Sequence, residues 1–274
     1  MARRAVKVPR NRGRPFLYGQ GEEGLMLTQA RRLQEQETWT ELPPAGHQWL
    51  PVSAHVVERY LVTFRAPAAK LASLVPAPLT LDVHRGHGFI SVCALELEGM
   101  GIALTPSWLR FDNRELLYRI GVRFRGEPTF LTLRSDVSAR PLYWLGRRFS
   151  HYRPHLGEVT VAREGGFQME CRSPDGGDAT LDLEREGSMA GSLFTSADEA
   201  ARFLLGMRFS ADVRRGRVRM QPIDHDPWGA RPARVRRCRF AFLEAIERRV
   251  GALTLDHCLG MRDLHQTWRA ARWS

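Results

Sequence analysis

Chemistry in this chain is most concentrated between Asn113 and Ser138, NRELLYRIGVRFRGEPTFLTLRSDVS, which holds Glu115, Arg119, Arg134 and Asp136. A carboxyl group can give or take a proton and a guanidinium can grip a carboxylate through two parallel hydrogen bonds, so the set suits acid–base work on a small anion. The stretch reads as two strands joined by a tight turn at Arg125-Gly126-Glu127-Pro128, where Gly and Pro interrupt an alternating pattern. Alternation sends Leu116, Tyr118, Ile120 and Val122 one way and Glu115, Leu117, Arg119 and Arg123 the other. In the second strand it groups Thr132, Arg134 and Asp136 against Leu131, Leu133 and Val137. The hairpin is therefore expected to carry all four charged residues on one polar side. Two readings of that side stand at this point: a charge ladder facing water, common in antiparallel sheets and worth little, or the lining of a pocket inside a closed sheet.

A second constellation, Gln221 to Trp228 (QPIDHDPW), sets His225 between two aspartates beside a Pro-Trp corner. It could be a proton shuttle tuned by carboxylates, or an Asp-Pro turn with Trp228 plugging the core. The pairs His84/His87 and His151/His155 have spacings that zinc sites use, but neither has a cysteine or carboxylate at a suitable interval, and no metal is expected. There is no GxSxG elbow, P-loop or GxGxxG after a strand, which removes the commonest hydrolase and nucleotide readings and leaves no cofactor expected. Lys7 and Lys70 are the chain's lysines, so Schiff-base chemistry from a lysine beyond residue 70 is excluded.

The elements that must position these residues are mostly strands. Short strands are expected at His55–Arg65, Leu79–His84, Phe89–Glu98, the central hairpin, Glu158–Ala162, Gly166–Arg172, Ala179–Glu186, Phe209–Val213, Arg217–Pro222 and Thr254–Trp268. The second and third of these are read as a hairpin about Arg85-Gly86-His87-Gly88. Helices are expected after Pro67, at Arg140–Phe149, after the capping box Ser196–Glu199, and at Arg239–Val250, where Phe240, Leu243, Ile246 and Val250 recur at helical spacing. Strands outnumber helices and no βαβ alternation is visible, which predicts an antiparallel barrel or sandwich with peripheral helices. A composition shift near residue 50 separates a basic arm with a short helix at Leu25–Thr38 (residues 1–51) from one domain (residues 52–274).

The chain is 274 residues long, 43% hydrophobic and 26% charged, values typical of a soluble globular protein. Its net charge of +11 allows attraction to nucleic acid, anionic lipid or acidic ligands. The basic stretches Arg3–Arg14, Arg214–Arg219 and Arg231–Arg239 lack interleaved aromatic platforms, and solvated faces account for them. The cysteines Cys93, Cys171, Cys238 and Cys258 are scattered and read as buried reduced thiols, which suits a cytoplasmic address. No apolar run approaches the roughly 20 residues that span a bilayer.

Taken in order, several segments between residues 55 and 270 resemble the uncharacterised bacterial branch of the acetoacetate decarboxylase-like superfamily. They are LASLVPAPLTLDVHRGHGFISVCALELEGM (Leu71–Met100), NRELLYRIGVRF, GRVRMQPIDHDPWGARPARV (Gly216–Val235), the helix that follows and the Leu255-Asp256-His257 strand. The resemblance implies a closed, cone-like β-barrel with a ligand cavity, faced by Glu115 and Arg119 as the catalytic pair. Arg134, Asp136, His225 and Trp228 are then the substrate-binding candidates. Decarboxylation is not implied, because the family's cavity lysine has no counterpart here, and a usual polar position between the glutamate and the arginine is Leu117. The expectation is a lysine-independent lyase, hydratase or tautomerase acting on a small oxo-acid-like anion, with self-association left open. The alternatives are a non-catalytic ligand-binding or assembly protein and an electrostatic nucleic-acid binder.

Overall fold

The computed structural model describes residues 50–273 except 103, 150–153, 207 and 228. The expected N-terminal arm and its helix, His151 and Trp228 lie outside the described residues. Among those described, fourteen strands form one mixed sheet. In chain order they are β1 Val52–Pro67, β2 Thr80–Leu81, β3 His87–Ile102, β4 Phe111–Phe124, β5 Glu127–Val137, β6 His155–Leu156, β7 Glu158–Ala162 and β8 Phe167–Arg172. They continue with β9 Ala179–Glu184, β10 Phe209–Arg214, β11 Arg217–His225, β12 Arg231–Phe240, β13 Thr254–Trp268 and β14 Arg272–Trp273. Four helices accompany them: α1 Ala68–Leu71, α2 Arg140–Phe149, α3 Ala197–Leu205 and α4 Ala241–Val250.

Seven strands pair in a closed ring, β1-β3-β4-β5-β10-β11-β13 and back to β1; the ring shuts where Ile223, Asp224 and His225 meet Trp268, Thr267 and Gln266. All its pairings are antiparallel except β5 with β10, which lie parallel at Ser210–Phe130 and Ala211–Leu131. A parallel pair needs a long crossover, and residues 138–208 supply it while also building β6 to β9 and α3. The strands β12, β9, β8 and β7 branch from β13 as a second layer. That layer and α4 cover the outer face of the ring, where Tyr60, Val62, Val92, Leu116, Tyr118 and Ile120 pack against Phe167, Met169, Leu181, Phe240 and Leu243. A separate apolar cluster occupies the inner face, with Val56, Leu61, Cys93, Leu95, Leu259 and Met261 beneath Phe194, Ala200 and Leu204 of the α3 region.

Local chemistry accounts for the elements. The central hairpin turns through Arg125 and Gly126, both at positive φ (51° and 86°), where glycine costs least. Ser196 caps α3 by accepting the Glu199 backbone N–H at 3.1 Å, as the capping box predicts. The helix expected after Pro67 is one turn plus a short 3₁₀ segment ending before Pro76. The expected hairpin between residues 79–84 and 89–98 reduces to a bridge between His84 and His87, because β2 pairs with β4 and β3 is already flanked by β1 and β4. The basic stretch Arg231–Arg239 lies in a strand pairing with β9 and β13, and the helix expected from Arg239 begins at Ala241. Among the described residues no helix is long and apolar enough to cross a membrane. The four cysteines are free; Cys93, Cys171 and Cys258 are buried and Cys238 is half-buried.

Candidate ligand site on the inner face of the strand ring

Strand register stacks the inner face in rows. Pairing aligns Glu115 with Leu95, Arg59 and Met261; the next inner row is Leu117, Cys93, Leu61 and Leu259; the third is Arg119, Ser91, Thr63 and His257. Two residues of strand separate neighbouring rows by about 6.5 Å, so an apolar belt lies between two polar ones. Glu115, Arg119 and Arg59 are 4%, 7% and 5% exposed, which removes the water-facing ladder from consideration for this face.

Glu115 accepts hydrogen bonds from Ser135 Oγ at 2.7 Å and Asn113 Nδ2 at 3.5 Å. Burial pushes its carboxyl up, opposed by the Ser135 hydrogen bond and the charge of Arg59, and it comes to about 7. Such a group holds or releases a proton at neutral pH. Arg119 donates to the Leu204 carbonyl at 3.3 Å, its guanidinium lies 4.9 Å from the centre of the Phe130 ring, and burial lowers it to about 10. Arg59 donates to Gln266 Oε1, and desolvation lowers its pKa against the pull of Cys93 and Glu115. The charge of Arg59 also acts on Arg119, so the two guanidiniums share one electrostatic field.

Sequence reasoning missed Arg59, which sat in HVVERYLVTFR among residues read for apolar bulk. Its inward direction comes from paired irregularities. The β1–β3 register shifts between Val56 and Glu58, and opposite Val57 the β13 residue Asp263 has φ of 55°. Val56 and Arg59 therefore share the inner face, while Glu58 turns outward to ion pairs with Arg163, Arg185 and Arg262. An Arg alternating with Leu61 and Thr63 was the available signal.

Arg134 and Asp136 require a correction, because they lie on the opposite face from Glu115 and Arg119. The register runs Tyr118–Arg134 and then Arg119–Thr132, skipping Leu133, and this bulge breaks the alternation that had put Thr132 and Arg134 together. Both residues are buried beneath the β8–β9 turn. Arg134 holds Asp136 through two hydrogen bonds of 2.6 and 2.7 Å, and also Asp175 at 2.7 Å and Ser173 at 3.1 Å. Although burial acts to lower it, the two carboxylates raise the Arg134 pKa well above its ordinary value. The group clasps the second layer to the ring.

His225 ends β11 level with Gln266, within the field of Arg59. Its flanking aspartates are engaged elsewhere: Asp226 Oδ2 accepts the His265 N–H at 2.8 Å and Asp224 pairs with Arg269. Its Nδ1 lies 2.9 Å from the Asp226 carbonyl, and burial lowers its pKa. His84 stacks on Phe194 at 4.5 Å, and among the described residues no cluster of His, Cys, Asp or Glu could hold a metal. Lys70 is exposed on α1, away from the inner face.

The closed ring with its second strand layer has an acetoacetate decarboxylase-like fold, as similarity to solved structures shows. Acetoacetate decarboxylase from Legionella pneumophila superposes with a TM-score of 0.57 at 12% identity, covering 88% of this chain and 95% of that one. The enduracididine biosynthesis enzyme MppR, complexed with the condensation product of pyruvate and imidazole 4-carboxaldehyde, gives 0.54 at 12% identity, covering 87% and 92%. An acetoacetate decarboxylase-like enzyme from Sphingomonas wittichii RW1 gives 0.52 at 16%, covering 85% and 95%. The chain belongs to the DUF2071 family, described as "Uncharacterized conserved protein", whose model matches residues 54–256. No curated protein matches it in sequence.

Proposed function

We propose that this protein is a lysine-independent enzyme that binds a small oxo-acid-like anion on the inner face of the ring and moves a proton on it. Arg59 and Arg119 hold the carboxylate and the oxo oxygen, and Glu115 carries the proton. The observation that carries the reading is a buried carboxyl, Glu115, on the same inner face as two buried guanidiniums, Arg59 and Arg119, and burial raises the carboxyl's pKa. Chemistry open to this set is enolisation, tautomerisation, hydration or dehydration, all of which need a proton carrier and an oxyanion partner but no covalent amine. The structural neighbour MppR is complexed with a condensation product of pyruvate, which motivates the choice of oxo acids as probes.

Thermal shift with pyruvate, acetoacetate and acetate tests the reading. Pyruvate or acetoacetate is expected to raise Tm in the wild type. Arg119→Ala and Arg59→Leu are expected to abolish that rise, and Glu115→Gln to retain it while losing any turnover. An unchanged ligand response in both arginine variants would end the proposal.

A further inference from the structure

A second proton-handling group is built into the inner face, at the far polar row. At Thr63–Phe64 the β1–β13 register skips Asp256, so the bulge brings Asp256 and His257 to one side of β13. His257 Nδ1 lies 2.6 Å from Asp256 Oδ2, and both side chains are completely buried. The carboxylate is fully engaged: it also accepts Ser192 Oγ at 2.6 Å, Arg65 Nη1 at 2.5 Å and the Leu193 N–H at 3.0 Å. Although burial acts to raise it, hydrogen bonds from His257, Ser192, Arg65 and Leu193 hold Asp256 well below the usual carboxylate range, so it is an ionised acceptor. An ionised acceptor facing Nδ1 means that Nδ1 donates to Asp256. Nε2 is buried and has no hydrogen-bond partner.

His257 shares its row with Thr63, Ser91 and Arg119, and its neighbours on the same face, Leu259 and Met261, belong to the inner cluster. The ring of Phe194 meets it edge-on at 5.4 Å. Ser192 does not make this a hydrolase triad. Its hydroxyl donates to Asp256, accepts the Phe194 N–H at 3.1 Å, and sits 3.5 Å from Nδ1 rather than beside Nε2, where a nucleophile would need to be.

We infer that His257 is a catalytic base of the inner-face site, its Nε2 receiving a proton from the bound oxo acid while Asp256 positions the ring. This rests on the reading of that face as a ligand site. In the step, the ligand C–H bond adjacent to the oxo group breaks and the proton passes to Nε2. The bonding pair becomes the enolate, whose oxygen is balanced by the Arg119 guanidinium, and reprotonation reverses the change. A buried imidazole held by a carboxylate at Nδ1, with Nε2 left without a hydrogen-bond partner, has the orientation a general base requires.

The test uses histidine-15N-labelled full-length protein with pyruvate, acetoacetate and acetate, following Tm, the His257 Nε2 resonance and deuterium exchange at the probe's acidic carbon. His257→Asn keeps a side-chain amide within reach of Asp256 but removes the distal nitrogen. The expected result is an Nε2 resonance that moves when an oxo acid binds, with exchange at least tenfold slower in His257→Asn while its ligand-induced Tm rise persists. If an oxo acid raises Tm but the resonance stays fixed and exchange is unaltered in His257→Asn, the inference is overturned and the proposed function survives. If no probe raises Tm, moves the resonance or undergoes exchange, both fall together.

Discussion

At the scale of single residues, Glu115 couples stability to pH. Its carboxyl is pushed up to about 7 by burial, whereas in an unfolded chain it would titrate near 4.5. A folded-state value above the unfolded one means that the stabilisation is complete below about pH 4.5 and is lost as pH rises through about 7. Each unit in that window costs about 1.4 kcal/mol, or roughly 3 kcal/mol across it. Glu115→Gln is expected to abolish this component, so in urea melts the stability of the wild type relative to the variant should fall progressively, by roughly 3 kcal/mol, from pH 4.5 to 7. A difference that stays constant across the window would show that Glu115 is not held protonated. Arg134 behaves differently, because it is paired and lies on the other face of the sheet. Arg134→Ala leaves Asp136 buried without its partner, and a loss of about 3–5 kcal/mol in stability is expected. For those molecules that remain folded, the response to an oxo acid should be unchanged.

At the scale of elements, irregularities in the strands decide which face each charge meets. Strict alternation described β4 correctly, since Glu115, Leu117 and Arg119 do share one side. It failed in β5, where a single skipped residue, Leu133, turned Arg134 and Asp136 outward. The same device, used in β1 and twice in β13, brings Arg59 and His257 inward. Bulges leave no signature in side-chain type, so a pattern of period two cannot locate them. The strand Arg231–Phe240 escaped notice for a related reason: its partners bury only some positions, and arginines fill the rest. The turn between β8 and β9 offers a direct check on the outer clasp. A Cβ at Gly177 would lie 2.1 Å from Arg134 Nη2, a nitrogen locked by Asp136, Asp175 and Ser173. Gly177→Ala is therefore expected to cost about 1–3 kcal/mol by displacing that guanidinium. A melting temperature equal to wild type would mean that the clasp is loose.

At the scale of the whole molecule, charge and enclosure make opposite suggestions about partners. The net charge of +11 favours polyanions. Many of the described arginines are already committed within the protein, for example Arg163, Arg185 and Arg262 to Glu58 and Arg236 to Asp182 and Glu184. Gel shifts with duplex and single-stranded DNA at low salt are expected to show at most weak, salt-sensitive retention. A complex that survives roughly 200 mM salt would return the nucleic-acid reading to first place.

Composition and local pattern were enough to establish a strand-rich domain, the central hairpin and its turn, the cap of α3, the shortage of lysine, and the shared face of Glu115 and Arg119. Those features depend on neighbours a few residues apart, which the chain order displays directly. Whether that face met water or an enclosure, which strands closed the ring, and that Arg59 and the Asp256–His257 pair joined it were decided only by tertiary structure. They depend on pairing between segments up to about 200 residues apart and on bulges whose positions are set by closure of the ring.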